Sequence, residues 1–251
     1  MEKIKLLVKV LEKPLLNDPI MISGVPDSGL VAKITIDYLI PSLKAKPFIE
    51  LYSYGFSPQV LVKKDGLDLV KGVLYYVKRD SDRDIILFTA DEQPRLPEAA
   101  YDICSNVLDI VKELGVKLVY TVGASITGIF VEKPKVYGVA TNSKLLPELE
   151  KIGIFIMNQG TITWMNGLML GLTKLKEMEG IFISAETSGY IPDAKAARAI
   201  VKKLNDLLNL NLNLEGFKEM IDEMEKNIKN IKEYQSYKEE PVEKKPSEFY
   251  K

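Results

Sequence analysis

Short runs of continuous apolar residues alternate with amphipathic segments along most of this 251-residue chain, and this alternation most constrains its fold. The runs in RDIILFTADEQP, VKLVYTVG and GIFISAE lack the polar alternation of a half-exposed strand, so each is expected to be a strand covered on both faces. Amphipathic helices predicted between the strands would supply that cover. The sequence therefore predicts an α/β fold, a three-layer α/β/α sandwich with a mostly parallel sheet, over residues 1–212.

A separate helix is predicted over residues 213–234. Its apolar residues recur at alternating spacings of three and four, as in the seam of a coiled coil, which predicts an oligomerisation or spacer helix. The same stripe fits a helix that lies on its own domain, and both interpretations stay open. The candidate oligomerisation residues are Phe217, Ile221, Met224, Ile228 and Ile231.

Residues 235–251 are rich in charge and proline, a composition that predicts a flexible tail. The tail nevertheless finishes on Phe249, Tyr250 and Lys251. An aromatic ring, a tyrosine whose hydroxyl wants a partner when buried, and a carboxylate suit capture by a pocket. Such C-terminal capture is a recurring mode of peptide recognition.

The chain contains no histidine, so the commonest general acid–base and the commonest metal ligand are both absent. We predict no metal, no cofactor, no catalytic residue and no enzyme activity.

The single cysteine, Cys104, suits a reducing compartment, and a cytoplasmic protein is expected. A net charge of −1 gives no electrostatic case for nucleic acid. No apolar run approaches the roughly 18 residues of a membrane span, so no membrane contact is expected.

Polar, glycine-bearing loops follow several predicted strands, where ligand sites of α/β sheets usually form. In GVPDSGLVA the two glycines are spaced as in a phosphate loop, but leucine and valine stand where such a loop needs lysine and serine or threonine. Two further loops place an acidic residue after a strand. These loops are a candidate ligand site, with ordinary structural turns as the alternative. The candidate ligand residues are Gly24, Asp27, Gly29, Asp91 and Glu186.

Five stretches carry a family resemblance. In chain order they are GVPDSGLVA (24–32), DEQP (91–94), VYGVATN (136–142), MNGLMLG (165–171) and ETSGYIPDAKAARAIVKKL (186–204). Together they resemble the PAC2 family, the proteasome assembly chaperone proteins and their archaeal homologues. The resemblance implies an α/β/α fold similar to that of nucleoside phosphorylases, without an established activity. It also implies an oligomeric assembly factor that holds the α-subunits of the 20S proteasome.

Proteasome activators and several assembly chaperones end in a hydrophobic residue, a tyrosine and any residue, the HbYX motif, and Phe249-Tyr250-Lys251 fits it. The resemblance thus implies a proteasome-binding tail, with the Lys251 carboxylate against a basic side chain. We expect a homo-oligomer, or an assembly with a related PAC2-family chain, that acts as an assembly chaperone or an ATP-independent activator. The alternatives are a nucleoside- or nucleotide-binding enzyme, since some relatives carry an ATP-grasp label, and a scaffold whose tail is incidental.

Overall fold

A computed structural model of the chain describes residues 6–64, 66–80 and 82–239, with side chains as far as residue 230. Within these residues the chain forms eleven strands and six α-helices. The strands are β1 (Leu6–Val10), β2 (Ile20–Ser23), β3 (Lys46–Ser53), β4 (Val60–Lys63), β5 (Gly66–Leu69), β6 (Gly72–Val77), β7 (Ile85–Ala90), β8 (Leu118–Ile126), β9 (Val136–Ala140), β10 (Phe155–Ile156) and β11 (Glu179–Thr187). The helices are α1 (Val31–Ser42), α2 (Pro97–Glu113), α3 (Leu146–Lys151), α4 (Trp164–Leu175), α5 (Ala194–Leu208) and α6 (Phe217–Glu239).

Nine of the described strands form one sheet in the order β1-β3-β6-β7-β2-β8-β11-β9-β10. Its central strands β7, β2, β8 and β11 are parallel to one another, as the apolar runs predict. The sheet is mixed and not mostly parallel as predicted, because β1, β3, β6 and β7 pair antiparallel and β9 runs antiparallel to β11. For β6 and β7 the physical reason is the length of the connection. Only residues 78–84 join β6 to β7, and a parallel crossover needs about a dozen residues or more.

Helices cover both faces of the sheet, which confirms the predicted α/β/α class. Helices α1, α3, α5 and the start of α6 pack on one face, and α2 and α4 pack on the other. Along β2, Ile20 and Ile22 enter the first core while Met21 enters the second, and all three are buried. The strand residues are continuously apolar because successive side chains enter two different cores.

The first half of α6 packs on the α/β/α domain. Phe217 is fully buried and stacks on Tyr38 of α1, with ring centroids 4.1 Å apart. About two turns further on, Met224 is buried and Glu225 forms an ion pair with Lys195 of α5 at 2.7 Å. The described side chains of the stripe therefore face their own domain, which is one of the two interpretations that the spacing left open. Those that are buried or half-buried are Phe217, Ile221, Met224 and Ile228.

Helix α6 extends to Glu239, so the predicted boundary between helix and tail, at residues 234 and 235, falls inside the helix. The side chain of Ile231 lies outside the described part of the chain. So do residues 240–251, with Phe249, Tyr250 and Lys251 among them. Among the described residues, no helix has the length and apolar character that crossing a membrane requires.

A small hairpin stands apart from the main sheet. Among the described strands, β4 and β5 pair only with each other, antiparallel, and they lie between β3 and β6 in the chain. The sequence DGL in KKDGLDL predicts this hairpin, and the pairing of Lys63 with Gly66 closes it. Asp65 is outside the described residues.

Candidate binding cleft

A cleft of about 660 Å³ opens at the carboxyl ends of the central strands. The chain leaves β2 toward α1 in one helical layer, whereas it leaves β7 toward α2 in the other layer. Loops that diverge in this way leave a crevice at the strand ends, where ligands of open α/β sheets bind. The lining residues are Pro26, Asp27, Ser28, Gln93, Gly123, Ala124, Ser125, Ile126, Met157, Thr161, Ile162, Thr163, Trp164, Asn166 and Phe182.

Two side-chain amides hold the wall of the cleft together. The buried Asn166 of α4 accepts a hydrogen bond from the Val25 N–H and donates one to the Val25 carbonyl, each at 3.1 Å. Gln93 donates from Nε2 to the Pro26 carbonyl at 2.8 Å and accepts from the Met165 N–H at 3.4 Å. The loop after β2, the loop after β7 and the start of α4 are therefore fixed to one another. Neither amide was predicted from the sequence to have a role.

Asp27 places a carboxylate oxygen without a partner in this cleft. Its Oδ1 accepts a hydrogen bond from the Ala32 N–H at 3.0 Å. Its Oδ2 is buried and has no hydrogen-bond partner among the described residues. Burial raises the pKa of the Asp27 carboxyl to about 7, although the Ala32 N–H favours the charged form. Desolvation dominates here because a charge in an apolar site loses its hydration. The cleft thus contains an acid that can exchange its proton near neutral pH.

The mouth of the cleft has unusual backbone geometry. Trp164, the first residue of α4, has a φ of 55°, and its side chain is 52% exposed. Bulky residues rarely adopt a left-handed conformation, and where they do it is held by the surrounding structure. Trp164 lines the cleft, so the rim presents an indole ring from a position that the backbone fixes at a conformational cost.

Gly167 of α4 allows the preceding loop to lie close against the helix. A Cβ atom at Gly167 would lie 2.1 Å from the carbonyl oxygen of Ile162, a distance that no side chain tolerates. The backbone of residues 161–163, which lines the cleft, can therefore approach α4 only at a glycine.

Of the five candidate ligand residues, only Asp27 lines the cleft. Gly24 is buried against β8, where an added Cβ would lie 2.7 Å from the side chain of Val122. Gly29 has a φ of 69°, and its carbonyl accepts a hydrogen bond from the Asp193 N–H at 2.8 Å. These two glycines shape the turn between β2 and α1 and are not placed to contact a ligand in the cleft.

The two other candidate acids hold neighbouring backbone. Asp91 accepts a hydrogen bond from the Lys71 N–H at 2.9 Å, which joins the loop after β7 to the start of β6. Glu186 accepts from the Lys135 N–H at 3.0 Å and from the Tyr137 hydroxyl at 2.9 Å, which fixes the start of β9. Both acids therefore have structural partners, and the structure does not bring them together with Asp27.

The chemistry that the cleft offers is limited. Its described lining contains one carboxylate, no lysine and no arginine. Burial raises the pKa of Cys104 to about 12, so this buried thiol is not a ready nucleophile. Within the described ranges, no three acidic or cysteine side chains are grouped so that they could hold a metal ion. The cleft can accept a hydrogen bond or hold a proton at Asp27 and offers an apolar rim.

This fold is that of a known class of α/β/α proteins. The chain belongs to the PAC2 family, whose model matches residues 21–232 and so includes most of α6. Membership of this family supports the prediction that this chain is not an enzyme.

Three individual proteins illustrate the similarity. The crystal structure of Pyrococcus furiosus PbaB, an archaeal proteasome activator, has a TM-score of 0.85 and 33% identity, and the match covers 92% of this chain and 100% of PbaB. The uncharacterized protein MJ1210 of Methanocaldococcus jannaschii is 32% identical over 92% of this chain and 90% of its own length. Pyrococcus furiosus PbaA, an archaeal homolog of proteasome-assembly chaperone, shares the fold at a TM-score of 0.76 and 24% identity, over 92% of this chain and 93% of PbaA.

Proposed function

We propose that this protein binds the α-subunits of the 20S proteasome, free or assembled in the α-ring, and acts as a proteasome assembly chaperone. The observation that carries the proposal is membership of the PAC2 family over residues 21–232. It is supported by 33% identity to PbaB across the whole length of that protein. The protein would act in the cytoplasm, where the single cysteine stays reduced.

The proposed contact is the C-terminal segment Phe249-Tyr250-Lys251. The ring of Phe249 would enter an apolar pocket between neighbouring α-subunits, and the Tyr250 hydroxyl would find a hydrogen-bond partner at its edge. The Lys251 carboxylate would pair with a basic side chain, a charge-assisted contact that is stronger than a neutral one. The proposed contact needs no cofactor.

In this proposal, helix α6 connects the C-terminal segment to the folded domain. Its 23 residues span about 34 Å, and its first half is attached to the domain through Phe217 and Glu225. Residues 240–248 separate the described end of α6 from Phe249 and can reach at most about 30 Å. This spacer is shorter than the sequence analysis implied, because the helix continues to Glu239.

We also propose that the protein is a homo-oligomer, because one three-residue contact should bind weakly. Several tails on one assembly would bind with an avidity about 10²–10⁴-fold above that of one tail, provided that they engage together. A related PAC2-family chain could replace one of the copies in such an assembly.

Activation of the assembled 20S particle without ATP is a second candidate function. The description of PbaB as an archaeal proteasome activator favours it. A nucleotide-binding enzyme is less well supported, because a phosphate in the cleft would face Asp27 without any lysine or arginine to balance its charge. A nucleoside would still have the Asp27 oxygen as an acceptor.

A pair of assays tests the proposal and separates its two forms. Full-length protein is added to purified archaeal 20S particles, and hydrolysis of a fluorogenic peptide is followed. It is also co-expressed with α-subunits alone, and assembly of α-rings is measured by native mass spectrometry. Faster hydrolysis identifies an activator, and a higher yield of α-rings identifies a chaperone. Absence of both effects, together with no binding to either form, would contradict the proposed function.

A further inference from the structure

The hairpin of β4 and β5 turns an entirely aliphatic face toward solvent. Its register pairs Val60 with Leu69 and Val62 with Leu67, and residues directly opposite one another in a hairpin share a face. Their exposed fractions are 52% for Val60, 53% for Leu69, 84% for Val62 and 75% for Leu67. We call these four residues the aliphatic face. Nothing among the described residues covers it.

The polar groups of the hairpin lie on the opposite side. Asp68 forms ion pairs with Lys63 at 2.9 Å and with Lys71 at 2.7 Å, while Leu61 packs against the core. The side chains of Lys71 and Asp68 are only 14% and 22% exposed. A sheet with one face in water normally has polar residues on that face and apolar residues beneath. The hairpin has the reverse arrangement, which is typical of a surface that a protein partner buries.

The same ion pairs join the hairpin to the edge of the main sheet. Lys71 also pairs with Glu50 of β3, and Glu50 pairs with Lys9 of β1 at 2.9 Å. Strand β1 is one of the two edge strands of the main sheet, and among the described strands it pairs only with β3. Its residues Leu7 and Val10 are 55% and 49% exposed. An open edge with apolar side chains readily pairs with another chain unless it is covered.

We infer that the aliphatic face and the neighbouring edge of β1 form an interface with a second copy of this chain. The four positions of the face carry no charge, so they give a charged partner nothing to recognise, and the net charge of −1 opposes self-association little. The same aliphatic face on a second copy is chemically complementary to it, and a two-fold axis brings identical surfaces together.

The aliphatic face supplies about half of the area that this interface needs. From the exposed fractions it offers on the order of 400 Å² per copy, the size of the largest apolar patch on a typical monomer, which is often functional. Each partner of a stable complex buries about 800 Å², so the β1 edge has to supply the remainder. A lone two-stranded hairpin is also marginally stable, and a second hairpin packed on its apolar face would stabilise it. The inference names where copies meet and does not depend on what the assembly binds.

The test measures the mass of the full chain in solution by light scattering after size-exclusion chromatography, over a range of concentrations. Val62→Lys places a charge in the middle of the aliphatic face, and Leu67→Thr shortens the apolar surface while it keeps a strand-forming residue. Leu175→Lys, at an equally exposed leucine (77%) at the end of α4, is the matched control. We expect the wild type to have a mass of at least two chains. In Val62→Lys the dissociation constant of the assembly should be at least about tenfold higher. Leu67→Thr should shift the same way, and Leu175→Lys should match the wild type.

Amide hydrogen exchange over residues 60–69 gives a second readout. In the wild type, protection of this segment should rise with protein concentration, and in Val62→Lys it should stay low although the rest of the fold is protected. A wild-type chain that is monomeric at every concentration would overturn the inference. So would a Val62→Lys protein that associates, and protects residues 60–69, as the wild type does. The inference rests on the proposed homo-oligomer, and a monomeric wild type would contradict both. Contact of the tail with the proteasome is tested separately by deletion of Phe249–Lys251, which leaves the aliphatic face intact.

Discussion

The side-chain amide of Asn166 makes both of its described hydrogen bonds with one residue, Val25, through the N–H and the carbonyl of that residue at 3.1 Å each. The two residues are 141 positions apart, and both are buried. An amide paired in this way forms the same two hydrogen bonds that a neighbouring strand would form. It satisfies a backbone donor and a backbone acceptor just after β2 that would otherwise be unpaired.

Asn166→Leu should therefore destabilise the fold by about 2–4 kcal/mol, since two buried backbone groups lose their partners. Urea unfolding followed by circular dichroism measures this change. Asn106→Ala, on the half-buried side of α2, is the control and should change stability by less than about 1 kcal/mol. An Asn166→Leu protein as stable as the wild type would mean that the loop finds other partners.

Asp27 predicts a pH dependence of stability. Burial raises its pKa in the folded state to about 7, so the folded protein binds this proton more tightly than the unfolded chain does. The linked stabilisation is complete below the unfolded pKa of about 4 and is lost as pH rises through about 7. In Asp27→Asn the side chain stays neutral, and the fall in unfolding free energy between pH 5 and pH 8 should be smaller than in the wild type.

The check for Asp27 is a set of urea titrations at half-unit steps of pH. Asp206→Asn, at an exposed position on α5, is the control and should follow the wild-type curve. A wild-type curve that rises between pH 5 and pH 8, with Asp27→Asn parallel to it, would show that the Asp27 carboxyl ionises in the folded state as it does in water.

Two glycines of α4 form a matched pair. Gly167→Ala would place a methyl group 2.1 Å from the Ile162 carbonyl, so the loop that lines the cleft must move, at a cost of about 1–3 kcal/mol. At Gly171 an added Cβ meets nothing within 4 Å, and Gly171→Ala should stabilise the helix by about 0.5–1 kcal/mol. Thermal unfolding should show melting temperatures that move in opposite directions. Equal shifts would mean that the close approach to Ile162 relaxes freely.

Phe217 attaches α6 to the domain. It is fully buried and stacks on Tyr38, whose hydroxyl donates to the carbonyl of Asn213. Replacing a buried phenylalanine by alanine removes about 3–5 kcal/mol of stabilising free energy. One helix at the surface cannot lose that much and remain packed on the domain. In Phe217→Ala we expect faster amide exchange across residues 217–228, while β2 and β8 remain protected. Lys218→Ala, at the exposed neighbour, should exchange like the wild type.

The centre of the fold could be predicted from the sequence because its strands have no polar side. Met21 between Ile20 and Ile22 enters a different core from its neighbours, and only a strand covered by helices on both faces has that pattern. The antiparallel flank was not predicted, because the pattern of β6 describes its burial and not its direction. The stripe from Phe217 to Ile228 is ambiguous for a similar reason. One apolar face fits a partner helix and the domain of the same chain equally well.

The cleft was predicted only in part. The loop GVPDSGLVA was recognised as a candidate, and Asp27 within it lines the cleft, whereas Asp91 and Glu186 hold backbone elsewhere. Asn166 and Gln93 were missed because their partners are far away in the chain and no local spacing reveals them. The one available signal was a single asparagine in the otherwise apolar run WMNGLMLG, since a buried amide needs hydrogen-bond partners.

The measurement that tests the central proposal most directly is the dissociation constant between the full-length protein and purified archaeal 20S particles. It compares the wild type with a chain that lacks Phe249–Lys251, with Tyr250→Ala, and with Tyr190→Ala, which removes a 75% exposed tyrosine from the folded domain. We expect the first two variants to lose at least about a hundredfold in affinity at unchanged oligomer mass, because every tail of the assembly is altered. Tyr190→Ala should bind like the wild type. Equal binding by all four proteins would contradict docking through the tail, and binding by none would contradict the proteasome as the partner.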